Sequence, residues 1–66
     1  MTETFGQRLR RIRTEQDITL VELAKKTGLL SNQIGEYERD HHSPSVYVLE
    51  WLCKALNVTA SELLGF

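Results

Sequence analysis

Between Ile18 and Arg39 the chain reads ITLVELAKKTGLLSNQIGEYER, and the fold turns on this stretch. Thr19 is followed three residues later by Glu22, the spacing of a capping box. The Thr19 hydroxyl can accept from a free N–H of the first helical turn, while the Glu22 carboxylate accepts from the N–H of Thr19. A short helix to about Thr27 is therefore predicted, with Leu23 and Ala24 on its buried side. Gly28 offers the left-handed residue that ends such a helix. Leu29 and Leu30 turn the corner, and a second helix is expected from about Ser31. Helix, short glycine-containing turn and second helix make a helix-turn-helix, a motif whose second helix lies in the DNA major groove. On that helix Ile34 and Tyr37 share the inner face, and Ser31, Asn32, Gly35 and Glu36 are expected on the outer one.

Sixty-six residues make one domain, residues 1–66, near the lower size limit for a core without metal or disulfide. With 41% hydrophobic and 26% charged residues, the composition is that of an ordinary globular protein rather than a disordered or membrane chain. No apolar run approaches the ~20 residues of a membrane span, and no secretory signal precedes the first helix, so no membrane partner is expected. The lone Cys53 cannot close an intrachain bridge and suits a reducing cytoplasm. The net charge of −1 runs against the basic footprint usual in DNA binders. Its distribution is uneven. Residues 1–33 carry six basic and four acidic side chains, and residues 34–66 carry two and five. A local basic surface fits within that balance, with modest nonspecific affinity.

Upstream of the motif, Thr4 can cap a first helix running to about Gln16, with Phe5, Leu9 and Ile12 at core spacing. Arg8, Arg10, Arg11 and Arg13 cover much of its remaining surface, and Arg10 and Arg11 read as a solvated cationic face. Downstream, residues 40–43 form a loop ending at Pro44. His41 and His42 with the distant Cys53 lack metal-ligand spacing, so no metal site is expected. Ser45 should cap a helix from Val46 to Leu56, whose first N–H groups suit a phosphate. Leu49, Leu52, Cys53 and Leu56 form its expected inner stripe, leaving Tyr47, Val48 and Trp51 in surplus. Asn57 suits the C′ position and Val58 an inward one. Thr59 with Glu62 forms another capping box, for a last short helix carrying Leu63 and Leu64. Five helices and no strand are predicted, an all-α fold.

The motif residues T-x-x-E-L-A (Thr19 to Ala24), Gly28, Ile34 and Tyr37-Glu38-Arg39 are joined by others outside it. These are R-L-R-x-I-R (Arg8 to Arg13), Pro44-Ser45 and the closing L-N-V-T-A-S-E-L-L. On these residues nearly the whole chain resembles the Cro/repressor-type (Xre) family of bacterial and phage regulators. The resemblance implies a compact five-helix bundle of the phage-repressor DNA-binding type, with its helix-turn-helix at about 19–39. It implies double-stranded DNA as partner and a cytoplasmic, bacterial or phage-encoded protein. It also implies that Arg13 pairs with Glu38 beside the DNA backbone, and that Arg39 and the His41-His42 pair lie where members contact phosphates. With Thr19 and Ser45 at their helix starts, Arg13, Glu38, Arg39 and His41 form the expected phosphate-contacting or orienting set.

The chain departs from the family at three points. Leu20, followed by Val21, stands where a phosphate-contacting glutamine is usual. It reads as a tolerated surface change, a contact to another protein, or a contact to thymine methyls. Leu30 holds the usual serine or threonine cap position and is a poor capper, so the cap is expected to slip to Ser31 and shorten the helix by one residue. Gly35 weakens its helix by ~1 kcal/mol relative to alanine and permits close approach to DNA.

Ser31, Asn32, Gln33 and Glu36 are the expected base readers. Asn and Gln can each bind adenine N6 and N7, and Glu can accept from cytosine N4. The same residues would suit an ordinary polar helix face; the surrounding motif favours DNA reading. The leading expectation is a sequence-specific DNA-binding transcription regulator, a repressor acting as a homodimer on a palindromic operator. The alternative is a protein-interaction module on the same fold, antirepressor or antitoxin-like. Its support is the acidic second half, Leu20 and the surplus apolar surface. No paired acid/base constellation or phosphate-binding glycine loop points to an enzyme, and no cofactor or small-molecule ligand is expected. Tyr47 and Trp51, four residues apart, share a helix face, and with Val58 and Ala60 they form the expected dimer interface. Trp51 would alternatively cover the edge of a small core. Met1 fits an intact amino terminus, whereas family members often continue into a second domain beyond a unit of this size.

Overall fold

In the computed structural model, which describes residues 3–66, all regular structure is helical. The helices are α1 (Phe5–Glu15), α2 (Leu20–Thr27), α3 (Ser31–Glu38), α4 (Val46–Leu56) and α5 (Ala60–Leu64). Met1 lies outside the described residues. Side-chain caps explain four of the five starts. Thr4, Thr19 and Thr59 each close a reciprocal box, with Gln7, Glu22 and Glu62 respectively, and the Ser45 hydroxyl accepts from Val48 N–H at 3.2 Å. Gly28, at φ 79°, ends α2 and sets the turn into α3, and Asn57 ends α4 in the same left-handed region.

The fifth start differs from expectation. Leu30 is itself the N-cap of α3 and makes no side-chain cap bond. Its extended backbone already presents the carbonyl that Ile34 N–H needs, at 3.1 Å, so the cap does not slip to Ser31 and the helix keeps that residue.

Leu9, Ile12, Leu23, Ala24, Ile34, Tyr37, Val48, Leu52, Leu56 and Leu63 make one core to which every helix contributes. Each fully buried leucine or isoleucine is worth about 1.5–3 kcal/mol over the exposed state. In α4 the inward line is Val48–Leu52–Leu56, an i, i+4, i+8 row, so Val48 is not surplus. Leu49 and Cys53, expected at the centre, are only half-buried on one flank. The cause is tertiary. α4 packs against α2 on one side and α5 on the other, which sets its rotation.

α1 lies against α3, and two contacts fix the pair. At Gly6 an added Cβ would sit 2.5 Å from the carbonyl oxygens of both Tyr37 and Glu38, so only glycine allows this approach. Beside it the Asp40 carboxylate accepts from Gly6 N–H at 2.9 Å and from the Thr4 hydroxyl at 2.5 Å. The second contact, at the other end of α1, belongs to the site.

Candidate nucleic-acid interface

Arg13 and Glu38 meet in a two-pronged pair, Nε to Oε2 at 2.6 Å and Nη2 to Oε1 at 3.0 Å. Arg13 Nη1 donates to the Ile18 carbonyl at 2.8 Å, so one guanidinium ties α1, the loop before α2 and the end of α3 together. The side chains are only 11% and 7% exposed. Paired arginine geometry of this kind is directional as well as strong. The pairing expected from the family resemblance is therefore present.

The polar residues of α3 divide by what they already hold. Asn32 is exposed and makes no side-chain hydrogen bond among the described residues. Ser31 is half-buried in the first turn. Gln33 Nε2 donates to the Tyr37 hydroxyl at 3.1 Å, one helical turn on. Glu36 is engaged on both oxygens, by His41 Nδ1 at 2.7 Å and Arg39 Nη2 at 3.1 Å. Those two partners, the His41 bond first, hold its carboxyl below the usual range. Gly35 is buried rather than on the open outer face. The Arg39 guanidinium folds over it, and an added Cβ would stand 3.2 Å from Arg39 Nη1.

Arg39 and His41 remain exposed at the end of α3. Thr19 serves the start of α2, its hydroxyl accepting from Glu22 N–H at 3.1 Å, and Ser45 serves the start of α4. The cationic face of α1 is less open than its sequence suggested. Arg11 faces Glu3 at 2.8 Å and Glu15 at 3.2 Å, and Arg8 donates to the carbonyls of Leu64 and Glu3. Arg10 is exposed and makes no ion pair among the described residues. It lines a depression of about 250 Å³ with Arg13, Leu20, Gly35, Glu38 and Arg39. From its sequence Arg10 reads as part of a solvated cationic face; its exposure fits that, and its spacing of three from Arg13 places both on one flank of α1.

The four residues expected at a dimer interface fall in two neighbouring places. Trp51, 44% exposed, lines a shallow groove with Lys26, Thr27, Lys54 and Ala55, and Tyr47, at 72%, stands one turn earlier on the same helix. Val58 and Ala60 line a groove of about 560 Å³ with Val46, Leu49, Glu50 and Cys53. Lys54 borders both.

A family profile described as helix-turn-helix matches residues 9–63. The chain belongs to the helix-turn-helix family, of the Cro/repressor (Xre) type. This helix-turn-helix chain is 39% identical over 62 residues to the immunity repressor protein of Bacillus phage phi105, an alignment covering 94% of the chain and 43% of that relative. It thus spans less than half the length of that curated relative. Its fold matches the P22 c2 repressor, solved with synthetic operator 9T, at a TM-score of 0.89 and 32% identity over 96% of both chains. It matches SinR, a master regulator for biofilm formation solved with DNA, at a TM-score of 0.87 and 34% identity, over 92% of this chain and 98% of that one. No described helix of this helix-turn-helix chain is long and apolar enough to cross a membrane.

Proposed function

We propose that this chain is a sequence-specific DNA-binding unit of a repressor-type transcription regulator. In this reading α3 enters the major groove of double-stranded DNA and the chain acts as a homodimer on a palindromic operator, in the cytoplasm. The observation that carries the reading is the outer side of α3. There Asn32 offers an exposed amide with no side-chain hydrogen bond among the described residues, on a helix whose far end is fixed by a guanidinium clamp. An exposed amide whose donor and acceptor are uncommitted is what base recognition requires. The similarity to P22 c2 and SinR, each solved with DNA, supports the same reading.

Ser31 and Asn32 are the foremost base readers, with Gln33 and Glu36 able to join by exchanging an intramolecular bond for one to a base. Arg39, His41, Thr19 and the α4 start at Ser45 face phosphates, and Glu38 orients the Arg13 guanidinium beside the DNA backbone. The dimer forms across the outer face of α4 and the start of α5, using Tyr47, Trp51, Val58 and Ala60. Two-fold symmetry would then set two recognition helices ~34 Å apart, one turn of DNA. The chain performs no chemical step and needs no cofactor.

Selection of binding sites from random duplexes, followed by fluorescence anisotropy at two salt concentrations, tests this. The expected result is a palindromic consensus bound about 10³-fold or more tightly than random duplex. Weak binding with no sequence preference, lost alike from all duplexes as salt rises, would favour the antirepressor or antitoxin-like interaction module instead.

A further inference from the structure

The four arginines of α1 have unequal lives. Arg8 is held by two carbonyls, Arg11 by two carboxylates and Arg13 by Glu38 and Ile18. Arg10 has none of these partners, yet it lies at the rim of a defined depression between α1, the start of α2 and the side of α3 that carries Gly35 and Glu38. Three guanidinium groups and one carboxylate line that depression, and the carboxylate, Glu38, already receives two N–H groups from Arg13. Positive charge is left over. Gly35 has no side chain to obstruct the Arg39 guanidinium, which lies directly over it. Arg39 uses Nη2 for Glu36 and keeps Nε and Nη1 for another acceptor. Leu20, half-buried, forms an apolar wall that offers the arginines no acceptor of its own. Such a wall also limits water, which strengthens charge–charge contact inside the depression.

We propose that this depression seats one DNA phosphate, with Arg10 and Arg39 as its ligands and Leu20 against the adjoining deoxyribose. The inference rests on the DNA-binding reading above. Planar guanidinium forks match phosphate oxygens, and two of them from different helices would fix the register of α1 and α3 on the backbone. Leu20 then substitutes an apolar sugar contact for the amide usual at its position. In a chain of net charge −1, concentrating cations at one such point does more than a diffuse basic face would.

The test compares Arg10→Gln with Arg11→Gln, both at exposed positions and both checked for helical circular dichroism. Affinity is measured on the selected operator and on random duplex across a salt series. Arg10→Gln should lose about tenfold on both duplexes alike, and its slope of log affinity against log salt should be shallower by about one for each bound copy. Arg11→Gln, whose charge is already matched by Glu3 and Glu15, should change neither. A neutral methylphosphonate placed in turn at each operator phosphate should reveal one position in each half-site that weakens the native chain but leaves Arg10→Gln unaffected. An Arg10→Gln slope equal to the native one, or a loss at every methylphosphonate position in both proteins, overturns the seat alone. A native chain that binds no duplex overturns the seat and the DNA-binding reading together.

Discussion

At the scale of single residues, the α3 surface separates groups free to read DNA from groups already engaged. Asn32→Ala should weaken operator binding by about 1–3 kcal/mol, relax preference at one base pair and leave thermal melting nearly unchanged. Anisotropy on operator and random duplex checks it; equal loss on both would assign Asn32 to the backbone instead. Glu38→Gln should lower DNA affinity although it removes a negative charge, because Arg13 loses its orienting partner. Tighter binding by that variant, the result simple repulsion expects, would refute the orienting role. Part of this surface was legible in the sequence. The Arg13–Glu38 pair came from the family resemblance, and the Thr19 and Thr59 boxes from spacing alone. The cover of Gly35 by Arg39 was not, because it depends on how one long side chain folds back. The depression at Arg10 was not either, since three elements must converge before it exists.

At the scale of elements, the helix starts were readable and the rotation of α4 was not. A capping residue acts within one turn, so its sequence neighbours suffice to identify it. α4, by contrast, carries apolar side chains almost all round, VYVLEWLCKAL, and no single stripe stands out. Only its position between α2 and α5 selects Val48 over Leu49. The same logic singles out α3, whose N-cap Leu30 makes no side-chain bond. Leu30→Ser should therefore stabilise the fold by about 1 kcal/mol in chemical or thermal unfolding. An unchanged midpoint would mean that solvent satisfies those N–H groups equally well. The junction of α1 with α3 has a pH dependence of its own. The Thr4 hydroxyl, then the Gly6 N–H, hold the Asp40 carboxyl below its ordinary value of 3.8. A carboxylate with a depressed folded value contributes stability above its unfolded value, and that contribution is lost as pH falls from there toward the folded value. Acid unfolding below about pH 4 should thus be steeper in the native chain than in Asp40→Asn, as measured by melting temperature between pH 5 and pH 2.

For the whole molecule, the proposed self-association bears on charge. A single copy with net charge −1 presents few cations to DNA, so avidity from a second copy matters more than in a basic domain. Trp51→Lys should leave helical circular dichroism largely intact, abolish the dimer in sedimentation and cost operator binding steeply. A native chain that stays monomeric at high concentration, both free and on a palindromic site, would rule that interface out. The clasp between α1 and α3 has a different kind of consequence. Gly6 with Asp40 near one end of α1 and Arg13 with Glu38 near the other both grip the C-terminal end of the reading helix. A fragment spanning only residues 19–39 would carry Glu38 without its guanidinium, and would strip Leu23 and Ile34 of the α1 core side chains Leu9 and Ile12. Removing one partner of a buried ion pair costs about 3–5 kcal/mol, a large part of what so small a domain has. On the proposed DNA-binding reading, specificity in this scaffold should therefore be transplantable residue by residue, at Ser31 and Asn32, and not as a cut-out cassette. Exchanging those two side chains between related scaffolds should carry base preference across, whereas exchanging the two-helix segment should carry it only when α1 travels too.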